Sequence, residues 1–284
     1  MKTALSLFVI SLVSASLAFA STGDNSFKSP VGLQLWSLRN QFKKDVPEAL
    51  KQLKGLGVTQ AETAGTYGIE PAKFRQMLLD AGVQPISGHF DFGLLEKDPS
   101  AVSAQAKALG LKYVGCAWVP HQGAFTEAEA RHAIKVFTHA GEVMAKNGMR
   151  FFYHAHGYEF QPFGDGTLLD LIIKECPADK VSFQLDTTWV YLPGQDPVVW
   201  LKKYPTRWIS LHMKDLKKGV ERGTLSGGTD INNDVVLGTG QIDWKAVLKT
   251  SQEIGVKFYV IEDESDAILT QVPQSVKFLS DIRW

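Results

Sequence analysis

The chain has 284 residues with 30 basic and 30 acidic side chains, so its formal net charge is +0. This balance leaves no basic excess to neutralise phosphates, and we expect no nucleic-acid partner. The length suits one large α/β domain. The two cysteines, Cys116 and Cys176, lack metal-type spacing and are predicted to be buried thiols, with one disulfide in an oxidising compartment as the alternative.

The N-terminus has the pattern of a signal peptide. Met1 and Lys2 precede an apolar run through Leu17, and Ala18-Phe-Ala20 follows as an A-x-A cleavage site. This pattern predicts a cleaved signal peptide over residues 1–20, one mature domain over 21–284, and a periplasmic or secreted location. The apolar run is short for a membrane span, so we expect no span in the mature protein.

From residue 31 onward one unit recurs eight times: an apolar strand, a polar turn, an amphipathic helix, and then Gly or Pro. The strands are predicted over residues 31–38, 58–64, 83–90, 111–118, 181–186, 208–214 and 256–262, with the fifth opening the stretch 151–160. The helices are predicted over residues 45–55, 71–81, 98–110, 126–148, 167–176, 243–254 and 267–282, with the sixth beginning at 196.

This alternation requires parallel strands with right-handed crossovers. Eight such units close into a (β/α)8 TIM barrel, which is the predicted fold. The alternative is an open, doubly wound sheet. That sheet would show a Gly-rich phosphate-binding turn after its first strand, and Trp36-Ser-Leu-Arg-Asn40 contains no glycine.

Polar side chains collect at the C-terminal ends of the predicted strands, where active sites of such barrels lie. Side chains two apart on a strand share a face, so they are predicted to point together into the barrel mouth. Three carboxylates and one imidazole are costly to bury together unless a cation balances them, so the group predicts one divalent metal ion. Mn²⁺ is expected first, with Mg²⁺, Co²⁺ and Zn²⁺ as alternatives. The predicted ligands are Glu159, Asp186, His212 and Glu262.

Six segments, taken in this order, resemble the xylose isomerase-like TIM barrel superfamily and, within it, the sugar phosphate isomerase/epimerase branch. They are Gln34-Leu-Trp-Ser-Leu38, Tyr153-His-Ala-His-Gly-Tyr-Glu-Phe160, Leu185-Asp-Thr-Thr-Trp189, Leu211-His-Met-Lys-Asp215, Gly238-x-Gly-x-Ile-Asp-Trp244 and Ile261-Glu262. The resemblance implies the same four metal ligands. It also implies that Glu159 and Glu262 transfer protons next to a metal-bound carbonyl, by way of an enediolate.

Several further residues are candidates for the site. His156, His89 and Lys214 are predicted to hold hydroxyls or move protons, with a structural role as the alternative for each. Trp36, Trp118, Phe90 and Trp189 are candidates to stack on a sugar, with core packing as the alternative. His154 is expected to be a buried, hydrogen-bonded structural residue. Trp189 stands where free-ketose epimerases carry a histidine. The arginine that the resemblance implies after strand seven is not evident, and Lys218 is the closest basic residue.

We therefore expect a metal-dependent isomerase or epimerase of a sugar, with a small-molecule sugar as partner and a homo-oligomer left open. The alternative is a lyase or hydratase that acts on a 3-keto-sugar or 3-keto-glycoside with the same metal. A non-catalytic sugar-binding protein is a third hypothesis. An abasic-site endonuclease is disfavoured by the charge and the small ligand set. The polar segment 216–242 is predicted to cover the metal site or a neighbouring subunit, with a disordered insertion as the alternative.

Overall fold

The computed structural model describes residues 25–284, so the predicted signal peptide lies outside the described residues. Eight parallel strands form a closed barrel in which each strand pairs with the next one in the chain and the last pairs with the first. The predicted (β/α)8 TIM barrel is confirmed. The strands are β1 Val31–Gln34, β2 Gln60–Thr63, β3 Gln84–His89, β4 Tyr113–Cys116, β5 Arg150–His154, β6 Val181–Asp186, β7 Trp208–Met213 and β8 Phe258–Ile261.

Helices cover the outside of the barrel. The Thr126 side chain and Glu129 form a capping box at the start of the longest helix. Three short helices, two of six residues and one of five, were not predicted, because each fills what the sequence indicates as a loop after a strand. The helices are α1 Arg39–Lys44, α2 Val46–Gly55, α3 Pro71–Asp80, α4 Phe92–Lys97, α5 Pro99–Leu109, α6 Glu127–Lys146, α7 Leu168–Glu175, α8 Thr187–Tyr191, α9 Pro197–Lys203, α10 Trp244–Glu253 and α11 Ile268–Asp281.

The first strand is shorter than the predicted range 31–38. It ends at Gln34, and Leu35–Leu38 form a 3-10 helix. The Gln34 side chain accepts a hydrogen bond from the Trp36 backbone N–H, which turns the chain out of the strand. The apolar sequence alone could not show this, because a side-chain cap competes with the strand ladder at this point.

The barrel interior changes from apolar to polar along the strands. Ile86, Phe152, Phe258 and Val260 form a separate apolar cluster inside the barrel. The inward-facing positions closer to the C-terminal ends of the strands are polar. The apolar cluster therefore closes the barrel beneath a layer of polar side chains. Cys116, the last residue of β4, and Cys176, which follows α7, are free and buried, as expected. Among residues 25–284, no helix combines the length and apolar character needed to cross a membrane.

The long segment after β7 is held at its base. Asp215–Leu216 pair antiparallel with Asp234–Val235. The Asp215 carboxylate accepts hydrogen bonds from the N–H groups of Gly238 at 2.8 Å and Gly240 at 3.1 Å, and from the Trp244 indole at 2.9 Å. A Cβ at Gly240 would lie 2.3 Å from Asp215 Oδ1, so this close approach requires glycine. The segment is therefore an ordered loop fixed to the end of β7.

Candidate active site

Four buried side chains converge at the C-terminal ends of β5 to β8. His154 ends β5, Asp186 ends β6, His212 lies in β7 and Glu262 follows β8. Register places Asp186 beside His212, and His212 beside Val260, two residues before Glu262. One ligand atom from each of the four lies within 4.8 Å of the others. Three of the four predicted ligands are thus brought together, and His154 completes the group.

Two atoms in this group have no hydrogen-bond partner although they are buried: His212 Nδ1 and Asp186 Oδ2. His212 Nδ1 lies 3.7 Å from Asp186 Oδ2 and 3.5 Å from Glu262 Oε2. Buried polar atoms without partners are costly. A divalent cation between them would satisfy both, and imidazole and carboxylate are suitable ligands for it. The residues therefore fit a metal ion.

Charge within the group is strongly perturbed. Burial lowers the pKa of His212, but the charges and hydrogen bonds of Glu62 and Glu262 together outweigh burial, and the pKa is raised to about 10. Burial raises the pKa of Asp186 to about 7, although Lys214 and His212 oppose this shift. His212 therefore carries a proton on both ring nitrogens when no cation is bound. A cation that binds Nδ1 must displace the proton on that atom.

Glu159, the fourth predicted ligand, lies outside this group. Its carboxylate accepts hydrogen bonds from the Tyr153 hydroxyl and from the His156 backbone N–H, at 3.1 Å to each oxygen. Tyr153 is on the outward face of β5, where its ring lies 4.6 Å from that of Phe137 in α6. Burial raises the pKa of Glu159 to about 7, although the Tyr153 hydrogen bond opposes this. Glu159 thus braces the loop after β5 from the helix side.

The structure places one buried carboxylate that the sequence analysis missed. Glu62, in β2, accepts a hydrogen bond from His212 Nε2 at 2.6 Å and lies 3.1 Å from His89 Nε2. Burial raises its pKa, but His89 and His212 outweigh burial and hold the pKa at about 2. A signal existed in the sequence, because a glutamate within a short parallel strand of a barrel has no route to solvent. A search restricted to strand ends does not select Glu62, because it lies inside the predicted strand 58–64.

A cavity of about 580 Å³ opens above His154, Asp186, His212 and Glu262, which are called the metal-site group below. Gly227, Ile231 and Asp234 of the 216–242 segment help to line it, so this segment covers the barrel mouth as expected. Trp36 and Trp118 line it with 43% of their surface exposed, whereas Trp189 is buried. The sequence-predicted residues on its walls are Trp36, His89, Phe90, Trp118, His154, His156, Trp189, Lys214 and Glu262.

Lys214 is a buried cation in the cavity wall. Its Nζ lies 2.7 Å from Glu264 Oε1, 3.4 Å from Asp234 Oδ2 and 3.6 Å from Glu262 Oε2. Its ammonium also sits 5.0 Å from the centroid of the Trp189 ring. Burial lowers the pKa of Lys214, but these carboxylates outweigh burial and raise the pKa well above its usual value. The resting side chain is therefore protonated and places a positive charge at the cavity wall.

His156 is neutral in this setting. Burial lowers its pKa to about 3, which Lys214 reinforces and Glu262 opposes. Its Nδ1 is buried and has no hydrogen-bond partner. Its ring lies 5.5 Å from Trp118 and 5.4 Å from Trp189, so it stands between two cavity walls. A ligand in the cavity can therefore use this imidazole for a hydrogen bond or a proton transfer.

An eight-stranded parallel barrel with a buried His and carboxylate group at its C-terminal face defines an enzyme-type (β/α)8 fold with a candidate metal centre. Residues 50–282 match the family described as xylose isomerase-like TIM barrel. The chain belongs to this family.

Proteins of similar sequence include an inosose dehydratase and a rhizopine catabolism protein. An inosose dehydratase of Lacticaseibacillus casei is 29% identical over 155 residues, which cover 52% of this chain and 50% of the relative. The match thus spans about half the length of that relative. The rhizopine catabolism protein MocC of Rhizobium meliloti is 22% identical over 274 residues, which cover 78% of each chain.

Solved structures support the fold. A sugar phosphate isomerase/epimerase from Parabacteroides distasonis superimposes with a TM-score of 0.74 at 24% identity, covering 92% of this chain and 98% of that chain. The IolI protein with a bound zinc atom superimposes with a TM-score of 0.68 at 14% identity, covering 88% of this chain and 96% of that chain.

Proposed function

We propose that the protein is a divalent-metal-dependent carbon–oxygen lyase that acts on a cyclic keto-sugar, such as a 3-keto-sugar or its glycoside. The observation that carries the proposal is the pairing of Glu262 with Lys214. Glu262 belongs to the metal-site group and lines the cavity, and its Oε2 lies 3.6 Å from the Lys214 ammonium. An elimination needs one base and one proton donor near the same substrate, and these two residues supply them.

The proposed ligands of the metal are His154, Asp186, His212 and Glu262. Two imidazoles and two carboxylates accommodate Mn²⁺, Co²⁺ or Zn²⁺, and we propose Mn²⁺ first. The bound ion would polarise the substrate carbonyl and so acidify the neighbouring C–H bond. We propose in addition that the chain is exported by means of residues 1–20.

The chain's own groups would perform the proton transfers. Glu262, which Lys214 and His212 keep ionised against the effect of burial by lowering its pKa, takes the proton from the carbon next to the carbonyl. The C–O bond at the following carbon breaks, a C=C bond forms, and Lys214 gives a proton to the departing oxygen. The proton on Glu262 can then return to Lys214 across the 3.6 Å between them. Water or an alcohol leaves, and both residues recover their initial charge.

An isomerase or epimerase is the second candidate. It shares the first proton removal, and it is favoured by one observation: His156 Nδ1 is buried without a partner in the cavity wall. That nitrogen could relay a proton back to a second position on the substrate. The name of the inosose dehydratase relative supports the lyase. The two glutamates implied by the resemblance are not both at the site, because the Glu159 carboxylate lies on Tyr153.

Incubation of candidate keto-sugars and keto-glycosides in D₂O with Mn²⁺ separates the two. For the lyase we expect stoichiometric release of water or alcohol and an unsaturated product that absorbs in the near ultraviolet. For the isomerase we expect deuterium in a product of unchanged composition. An enzyme that exchanges deuterium but never releases a group contradicts the lyase.

The ligand assignment has a test of its own, which uses two variants matched by strand. His154→Ala should weaken Mn²⁺ binding by about 10- to 100-fold or more, because a direct ligand is lost. Glu159→Gln should leave the Mn²⁺ dissociation constant within about tenfold of the wild type, because that carboxylate only braces the β5 loop. Isothermal titration calorimetry measures both. The opposite ranking would return Glu159 to the ligand set.

A further inference from the structure

Glu62 is the centre of a buried hydrogen-bond network beneath the metal-site group. Five donors surround its carboxylate, which is fully buried. The network consists of Gln34 Nε2 at 2.8 Å, His212 Nε2 at 2.6 Å and His89 Nε2 at 3.1 Å on Oε1, with Ser87 Oγ at 2.7 Å and Gln184 Nε2 at 3.1 Å on Oε2. An ionised carboxylate can only accept hydrogen bonds, so every one of these neighbours must donate.

The first consequence concerns His212. Because its Nε2 must keep the proton that Glu62 accepts, its Nδ1 is the nitrogen that gives up its proton and offers a lone pair when a cation binds. Nδ1 is the atom that faces Asp186 and Glu262 and has no other partner. The carboxylate therefore orients the ring and selects the nitrogen for the metal.

The second consequence reaches His154 through Gln184. The Gln184 amide must direct its NH₂ group towards Glu62, and the same group donates to Ser210 Oγ at 3.0 Å. Its Oε1 is thereby turned to the other side, where it lies 2.9 Å from His154 Nδ1. Because this oxygen can only accept, His154 must carry its proton on Nδ1, and its Nε2 is left with the lone pair.

The remaining members agree with this pattern. Gln34 Nε2 lies 3.1 Å from His89 Nδ1, and an amide NH₂ can only donate, so His89 Nδ1 accepts. His89 must then carry its proton on Nε2, which is shared between Glu62 and Gln184 Oε1 at 3.1 Å. Every proton in the network has one consistent place once Glu62 is taken as ionised.

We propose that Glu62 is a positioning residue that fixes the tautomers of both histidine ligands, His212 directly and His154 through Gln184. The assignment rests on the metal site proposed above. It goes beyond that site because Glu62 touches neither the metal-facing atoms nor the cavity. This one carboxylate of β2 would nevertheless decide which nitrogen of each histidine ligand presents its lone pair to the metal.

The test compares Glu62→Gln with Ser87→Ala, which removes one donor from the same carboxylate but leaves its charge. For Glu62→Gln we expect Zn²⁺ to bind about 10- to 100-fold more weakly, and both histidines to show changed nitrogen shifts in ¹⁵N-histidine NMR spectra of the full mature protein. For Ser87→Ala we expect unchanged tautomers and a loss below about tenfold. Equal effects of the two variants, with His154 and His212 tautomers unchanged, would overturn the proposal.

Gln184→Met separates the two routes and serves if Glu62→Gln does not fold. It removes the relay, so we expect His154 to populate both tautomers while His212 keeps its proton on Nε2. An unchanged His154 tautomer in this variant contradicts the relay. The His154 tautomer is also measured without a cation. A wild-type protein that binds no divalent ion would therefore reject the proposed function, while the cation-free spectra would still decide on the role of Glu62.

Discussion

Replacing Glu262 with Gln is expected to lower kcat by about 10²- to 10⁴-fold, the range in which a general base contributes. The amide has nearly the same shape but cannot take a proton. Glu262 is also a proposed metal ligand, so the variant is compared with the wild type at saturating Mn²⁺. Because the lost interaction is then the one needed to reach the transition state, kcat and kcat/KM should fall together while KM changes little. Steady-state kinetics on the keto-sugar identified by the D₂O screen measures the effect.

The control is Glu253→Gln, which makes the same chemical change at an exposed position on α10. It should leave kcat and the dissociation constant of the metal unchanged. Circular dichroism of both variants checks that the barrel is intact. If the Glu262→Gln enzyme keeps more than about one tenth of the wild-type kcat, Glu262 is not the general base.

Replacing Lys214 with Met should cause the largest loss of stability among the site variants. The buried ammonium balances Glu264, Asp234 and Glu262. Removing one partner of a buried ion pair costs about 3–5 kcal/mol of the free energy of unfolding, because uncompensated charge is left behind. The variant should also lose its proton donor, so kcat should fall by about 10²-fold or more. Urea denaturation and steady-state kinetics measure the two effects.

Lys218→Met is the matched control, because Lys218 is exposed and four residues further along the same segment. It should change the free energy of unfolding by less than about 0.5 kcal/mol. The double variant Lys214→Met/Asp234→Asn should recover part of the stability, since it neutralises one of the stranded carboxylates. Its kcat should stay low. Equal stability of the Lys214 and Lys218 variants would show that the buried ammonium is not needed for folding.

The barrel and three of the four residues in the proposed ligand set could be predicted from strand alternation. Asp186, His212 and Glu262 lie at or next to the ends of regular strands, so the period of two places them on the inward face. Glu159 could not be placed in this way. Gly157 has a φ of 92° and Tyr158–Phe160 form a 3-10 helix, so the chain no longer alternates when it reaches Glu159. His154, the last residue of β5, still follows the strand period.

Glu62 shows a different limit of the sequence. Its neighbours come from β1, β3, β6 and β7, and the partner His212 is 150 residues away in the chain. Each of these residues is an ordinary polar side chain in its own segment. Only closure of the barrel, which brings β2 opposite β6 and β7, turns them into one network. The resemblance to the family predicts metal ligands at the strand ends. It does not predict the residues that form the network around Glu62.

The 216–242 segment has two parts: a base that is fixed to the end of β7, and the part between residues 217 and 233. Lys214 and Asp215, adjacent residues at the end of β7, hold Asp234 and the Gly238–Gly240 turn. The part between residues 217 and 233 leaves and returns at one closed base. We expect substitutions or insertions in this part to leave the base of the loop and the proposed metal ligands in place. Under the proposed function, exchange of this part would alter the choice of substrate and leave the proton transfers below it unchanged.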